Sequence, residues 1–132
     1  KGFPFGLRRF GAEMIVRDPI AVEADGSLVC VGELPPEAFV HVLEGSPAAL
    51  IEAAGRARQT ADSMLPPPGH RVFIDCISRV LFLEERIAEE LAAVSNREPM
   101  VGALTLGEVA GDAGGFLEFH NKTAVVVNLN DF

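Results

Sequence analysis

Few side chains in this 132-residue sequence stand where they could do chemistry, and they fall in two places. The first is Asp75-Cys76-Ile77-Ser78-Arg79, where a strand-like run feeds a helix. Free N–H groups at a helix start favour an anion, and Arg79 in the first turn would add a bidentate donor for a carboxylate. Taken alone, the junction is better explained by an arginine in an ordinary surface salt bridge. The second place is Glu118-Phe119-His120-Asn121, with Glu108 upstream. In a regular strand Glu118 and His120 share one face, while Asn121 falls on the apolar parity with Phe119 and Thr123. An amide on that side needs a hydrogen-bond partner, from the backbone or from a ligand.

A thiol nucleophile is the other chemistry these residues allow, with Cys76 attacking and His120 as base. Cys76 shares the parity of Val72 and Ile74, however, so a buried and inert thiol is expected. There is no G-x-S-x-G, no P-loop, no H-E-x-x-H and no C-x-x-C. His41, His70 and His120 share no metal-ligand spacing with either cysteine, so neither a metal nor another cofactor is expected. Gly111 to Gly115 reads as a hairpin loop and not as a dinucleotide fingerprint.

Composition narrows the partners. A net charge of −8 without a clustered basic surface excludes nucleic acid. No run approaches about 20 apolar residues, so no membrane span is expected. Two cysteines, Cys30 and Cys76, in apolar strand-like runs read as reduced thiols in a cytoplasmic setting. Asn121-Lys122-Thr123 fits the glycosylation triplet but lies in strand-like sequence and reads as chance. The sequence starts at Lys1 and no secretory signal is visible, which we read as a segment of a longer protein.

The elements that hold these groups follow from periodicity. Residues 1–12 form an apolar lead-in or linker, and 13–132 form one domain. Extended sequence runs from Glu13 to Ala24, with a bend or bulge at Asp18-Pro19. Asp25-Gly26 predicts a two-residue turn that sets Val22 opposite Val29 and Ile20 opposite Val31. Pro35-Pro36 breaks the pattern, and Ala38 to Leu43 is a third strand. Ser46-Pro47 opens a helix as cap and first residue, with Leu50, Ala54, Ala57, Ala61 and Met64 as its inner stripe. Arg71 to Ile77 is a strand. A second helix follows, with Leu83, Ile87, Leu91 and Val94 inside and Glu84, Glu85, Glu89 and Glu90 as a solvated face. Asn96 and Pro99 end it. Met100 to Leu129 then reads as two strands joined by a glycine-rich loop, the centre of the fold. The expected class is α+β: a mostly antiparallel β-sheet, order βββαβαββ, with two helices packed on one face.

At these residues the sequence resembles the C-terminal domain of FIST proteins, a sensory module of bacterial signalling proteins. The likeness runs through Phe5-Gly6 with Glu13, Val16 to Pro19, Asp25 to Leu28 and Gly32-Glu33. It continues through Cys76 with Arg79, then Gly102, Gly107-Glu108, and Glu118 to Asn121 with Thr123. Leu104 and Leu106 stand where the family often has aromatic residues, and Ser78 where it often has glycine. The resemblance implies sensing of a small-molecule ligand, with amino acids the usual suggestion, beside a preceding FIST N-terminal domain. On that reading Arg79, with Cys76 and Ser78 at the helix start, holds a carboxylate. Glu108 or Glu118 accepts from an ammonium, and His120 and Asn121 fix orientation. No catalysis is implied. The alternative is an interaction module that docks a partner or a second copy through a strand edge or the Phe3, Phe5 and Phe10 segment.

Overall fold

The computed structural model describes residues 2–8, 14–66, 69–111 and 117–130. Phe10, Glu13, the boundary drawn after residue 12 and the loop following Gly111 lie outside them. The class is α+β with mostly antiparallel pairing, and the strands divide into three ladders. In the first, β1 (Phe5–Leu7), β2 (Ile15–Val22), β3 (Leu28–Val31) and β4 (Val40–Val42) run antiparallel in the order β3-β2-β1-β4. The strand β1 comes from the apolar lead-in and separates β4 from the β2–β3 hairpin.

That hairpin turns at Asp25-Gly26, but with a longer loop than the dipeptide suggests. Glu23 and Ser27 close it through an N–H to carbonyl bond of 2.8 Å, leaving Ala24, Asp25 and Gly26 as a three-residue loop. The cause is the Asp25 carboxylate, which accepts the Ser27 N–H at 2.9 Å and is held below its ordinary range by the Ser27 side chain first and by that N–H second. The register moves accordingly. Val22 faces Leu28, Ala21 faces Val29, and Ile20 is the extra residue of a bulge beyond Pro19.

The second ladder is β5 (His70–Cys76) flanked by β6 (Met100–Thr105), parallel to it, and β9 (Ala124–Leu129), antiparallel. Only the parts of the expected closing hairpin next to its loop, from Glu108 to Gly111 and from Leu117 to His120, pair with each other; its outer parts, β6 and β9, both grip β5. Gly107 diverts the chain out of β6 with φ of +127°, and a Cβ there would meet the Phe119 ring at 2.2 Å. Past it, β7 (Glu108–Gly111) and β8 (Leu117–His120) form a separate antiparallel ladder.

Ser46 caps α1 (Pro47–Met64) by accepting the Ala49 N–H at 3.2 Å. The second helical segment is broken. It comprises α2 (Ile77–Leu83), a 3-10 turn at Glu84–Arg86, and α3 (Ile87–Ser95), which ends at a left-handed Asn96. Both α1 and α3 cover the face of β5 that carries Phe73. There Ala54, Phe73 and Val94 form the core, with Met100, Ala124 and Val126 against it. The break at Glu84, where φ is +52°, overturns one expectation. It turns α3 relative to α2, so Glu90 points inward and is fully buried, while Glu84, Glu85 and Glu89 stay exposed. Met64, expected inside, is exposed at the end of α1. Among the described residues no helix is long and apolar enough to cross a membrane.

Candidate functional site

Arg79 lies in the first turn of α2 and is buried. Its Nη2 donates to the Leu50 carbonyl of α1 at 2.9 Å and to the Glu90 carboxylate of α3. Its Nη1 donates to the Lys122 carbonyl at 3.3 Å. Its Nε lies 3.1 Å from Asp75 Oδ1, close enough to pair the charges but not aligned as a hydrogen bond. Glu90 is eleven residues downstream, about 16 Å along a continuous helix. The break at Glu84 is what lets the two meet. The carboxylates that Arg79 meets here are the chain's own, Asp75 and Glu90.

Two carboxyl groups against one guanidinium leave a surplus negative charge in a dry site. Asp75 relieves it, because its carboxyl holds a proton to a higher pH than an ordinary one. Burial first, then the charge of Glu90, pushes its carboxyl up to about 7 against the pull of Arg79, and Glu108 adds to the rise. Neither oxygen of Asp75 nor Glu90 Oε2 receives a hydrogen bond, and a proton on Asp75 would supply the donor missing between the two carboxyl groups.

Glu108 is also held internally. Thr105 Oγ1 donates to one of its oxygens at 2.9 Å and Thr123 Oγ1 to the other at 2.6 Å. Glu118 and His120 are half-buried on β8, where His120 lies opposite Glu108. Arg17 ties this ladder to the first one. Its Nη1 donates to the Phe119 carbonyl at 2.9 Å and its Nε to the Glu33 carbonyl at 2.9 Å.

The hollow lies beside these groups. A cavity of about 260 Å³ opens between the β2–β3 hairpin, the start of α2 and the corner joining β8 to β9. Pro19, Ile20, Val31, Ile77, Leu81 and Leu106 make its apolar wall, and Asp18, Cys76, Ser78, Asn121 and Lys122 its polar part. Cys76 Sγ and Ser78 Oγ are 3.1 Å apart and satisfy each other. Lys122 Nζ stands 3.2 Å from Asp18 Oδ2 and 5.8 Å from the centre of the Phe82 ring. Asn121 is 1 % exposed; its Nδ2 donates to the His120 carbonyl at 3.1 Å, and its Oδ1 receives no donor. A second cavity of about 260 Å³ lies across Lys122, with Arg79, Phe82 and Leu50 on its wall.

Of the residues singled out from sequence, Cys76, Ser78 and Asn121 share the first cavity. Arg79 lines only the second, and Glu108, Glu118 and His120 line neither. Asp18 and Lys122 were missed. They are distant in sequence, and the one local sign was a charged residue at each of two irregular points, the Asp18-Pro19 bulge and the left-handed Lys122. Among the described residues no group of three His, Cys, Asp or Glu side chains is placed to hold a metal ion.

The family model for the FIST C domain matches residues 1–111, a span that includes Asp18, Cys76, Ser78 and Arg79 and stops before Asn121 and Lys122. No curated protein and no solved structure matches the chain.

Proposed function

Because the chain belongs to the FIST C domain family, a sensory type of domain in signal transduction, we propose that it binds one small ligand, an amino acid, in the cavity beside Asn121. It serves as the input part of a cytoplasmic signalling protein and performs no catalysis of its own. FIST C domains are typically paired with a FIST N domain, and we take such a partner to precede this one. The observation that carries the reading is the composition of the cavity wall. An apolar pocket holds one acid, one base and Asn121, a residue 1 % exposed whose amide oxygen has no donor. A few convergent polar groups in a mostly apolar hollow are what small-molecule sites have in common. The test is isothermal titration of the chain against the amino acids. Saturable binding of at least one, lost in Asn121→Ala, supports the reading; no heat from any of them defeats it.

The interaction-module reading has one observation in its favour. The face of the β5 sheet opposite the helices carries Val72, Ile74, Val101, Ala103, Val125 and Val127, with Val101 68 % exposed. Self-association that rises with concentration, without small-molecule binding, would favour it. The thiol-enzyme reading has less. The group beside Cys76 Sγ is the Ser78 hydroxyl, and His120 does not line the same cavity.

A further inference from the structure

The walls of the cavity beside Asn121 go further than a ligand class. We infer that it selects a net-neutral zwitterion with a compact aliphatic side chain, an α-amino acid of the leucine, isoleucine and valine kind. This rests on the reading above that the cavity takes an amino acid.

Three features of the wall combine. Asp18 and Lys122 face each other at 3.2 Å and are each about nine-tenths buried, one charge of each sign. A ligand with net charge would leave one of them uncompensated in a partly dry wall, whereas a zwitterion slots its carboxylate towards Lys122 and its ammonium towards Asp18. Asn121 Oδ1 needs a donor, and a ligand carboxylate has none to give. An ammonium carries N–H groups that both Asp18 and this oxygen can accept. The remaining polar atoms, Cys76 Sγ and Ser78 Oγ, are 3.1 Å apart and use one of their two protons on each other, which leaves one donor for the ligand. Everything else around the ligand is aliphatic: Ile20, Val31, Ile77, Leu81 and Leu106. A hydroxyl, amide or charge on the ligand side chain would lose its water there and find at most the one spare proton of the Cys76–Ser78 pair. The volume, about 260 Å³, is below the roughly 300–1,000 Å³ of drug-sized sites and suits a ligand of amino-acid size.

The experiment is titration calorimetry on the full chain with leucine, isoleucine and valine against serine, glutamine, aspartate and lysine. Isopentylamine and 4-methylpentanoate serve as leucine analogues that each lack one charge. The aliphatic amino acids should bind at least about tenfold more tightly than the polar and charged ones, and than either analogue, which is about 1.4 kcal/mol. Tighter binding of a polar or charged amino acid overturns the selectivity and leaves the amino-acid site standing. No binding of any amino acid removes both. Lys122→Met should weaken leucine at least about tenfold and leave isopentylamine unweakened, since the amine has no carboxylate to lose. Asp18→Asn is the reciprocal arm, weakening leucine and sparing 4-methylpentanoate. Equal losses for leucine and its analogue in both variants would refute the charge assignment.

Discussion

Asp75→Asn tests the buried network at its weakest point. Asp75 is fully buried at the end of β5, and burial followed by the charge of Glu90 holds its carboxyl up at about 7 although Arg79 pulls it down. Between the ordinary value of 3.8 and about 7, the folded chain keeps a proton that the unfolded chain has released. The folded form therefore binds more protons, and stability falls as pH rises through that window. At about 1.4 kcal/mol per pH unit, moving the midpoint from 3.8 to about 7 makes the whole fall on the order of 4 kcal/mol. Asparagine keeps the shape and can donate to Glu90 without a titrating proton, and it leaves Arg79 and Glu90 as a one-to-one pair. Urea unfolding from about pH 4 to about pH 8 reads the difference. The wild type should lose on the order of 4 kcal/mol relative to the variant across that range, most of it before about pH 7. Parallel stability curves for the two proteins would show that Asp75 is ionised in the folded state, and the account of the network would be wrong.

Other substitutions probe neighbouring parts of the same construction. Arg79→Met leaves Asp75 and Glu90 facing each other without a cation and should cost about 3–5 kcal/mol by urea unfolding near neutral pH. Gly102→Ala puts a Cβ 1.8 Å from the Phe73 carbonyl oxygen on the neighbouring strand. Calorimetry should show a destabilisation of about 3 kcal/mol or more from that overpacking. The Cys76 thiol, 3 % exposed, should react with iodoacetamide far more slowly in the native protein than in urea. Fast native alkylation would reopen the nucleophile reading.

Local chemistry was legible in the sequence and distant chemistry was not. Ser46-Pro47 opens α1, Asn96 closes α3 and Asp25-Gly26 turns the β2–β3 hairpin, because each acts within a few residues. The register of that hairpin was missed by a side-chain bond, Asp25 to the Ser27 N–H, which lengthens the loop. The strand β1 is three residues long, and its partners β2 and β4 impose it. Glu90 read as solvated because a helical wheel assumes an unbroken helix, and nothing local announces the left-handed Glu84. The site divides the same way. Cys76 and Ser78, singled out at the helix start, and Asn121, singled out by its strand parity, line one cavity. Lys122 and Asp18 come together only when the β8–β9 corner lands on the β2 bulge. Arg79 was noticed for the right reason, a guanidinium at a strand–helix junction, but its partners lie in α1, α3 and β5.

Three arginines, Arg17, Arg71 and Arg79, are buried, and each donates to backbone carbonyls of other segments. With Asp75, Glu90, Glu108 and Asn121 they make up much of the interior of the described residues, beside small apolar groups such as Ala54 and Val94. Unfolding such an interior wets polar as well as apolar surface, and the two change the heat capacity in opposite directions, by about −0.26 and +0.45 cal/K/mol per Å². The heat-capacity increment of this domain should accordingly be small for its length. Its stability would then vary gently between cold and warm conditions, where a fold sealed by hydrocarbon alone shows a sharper optimum.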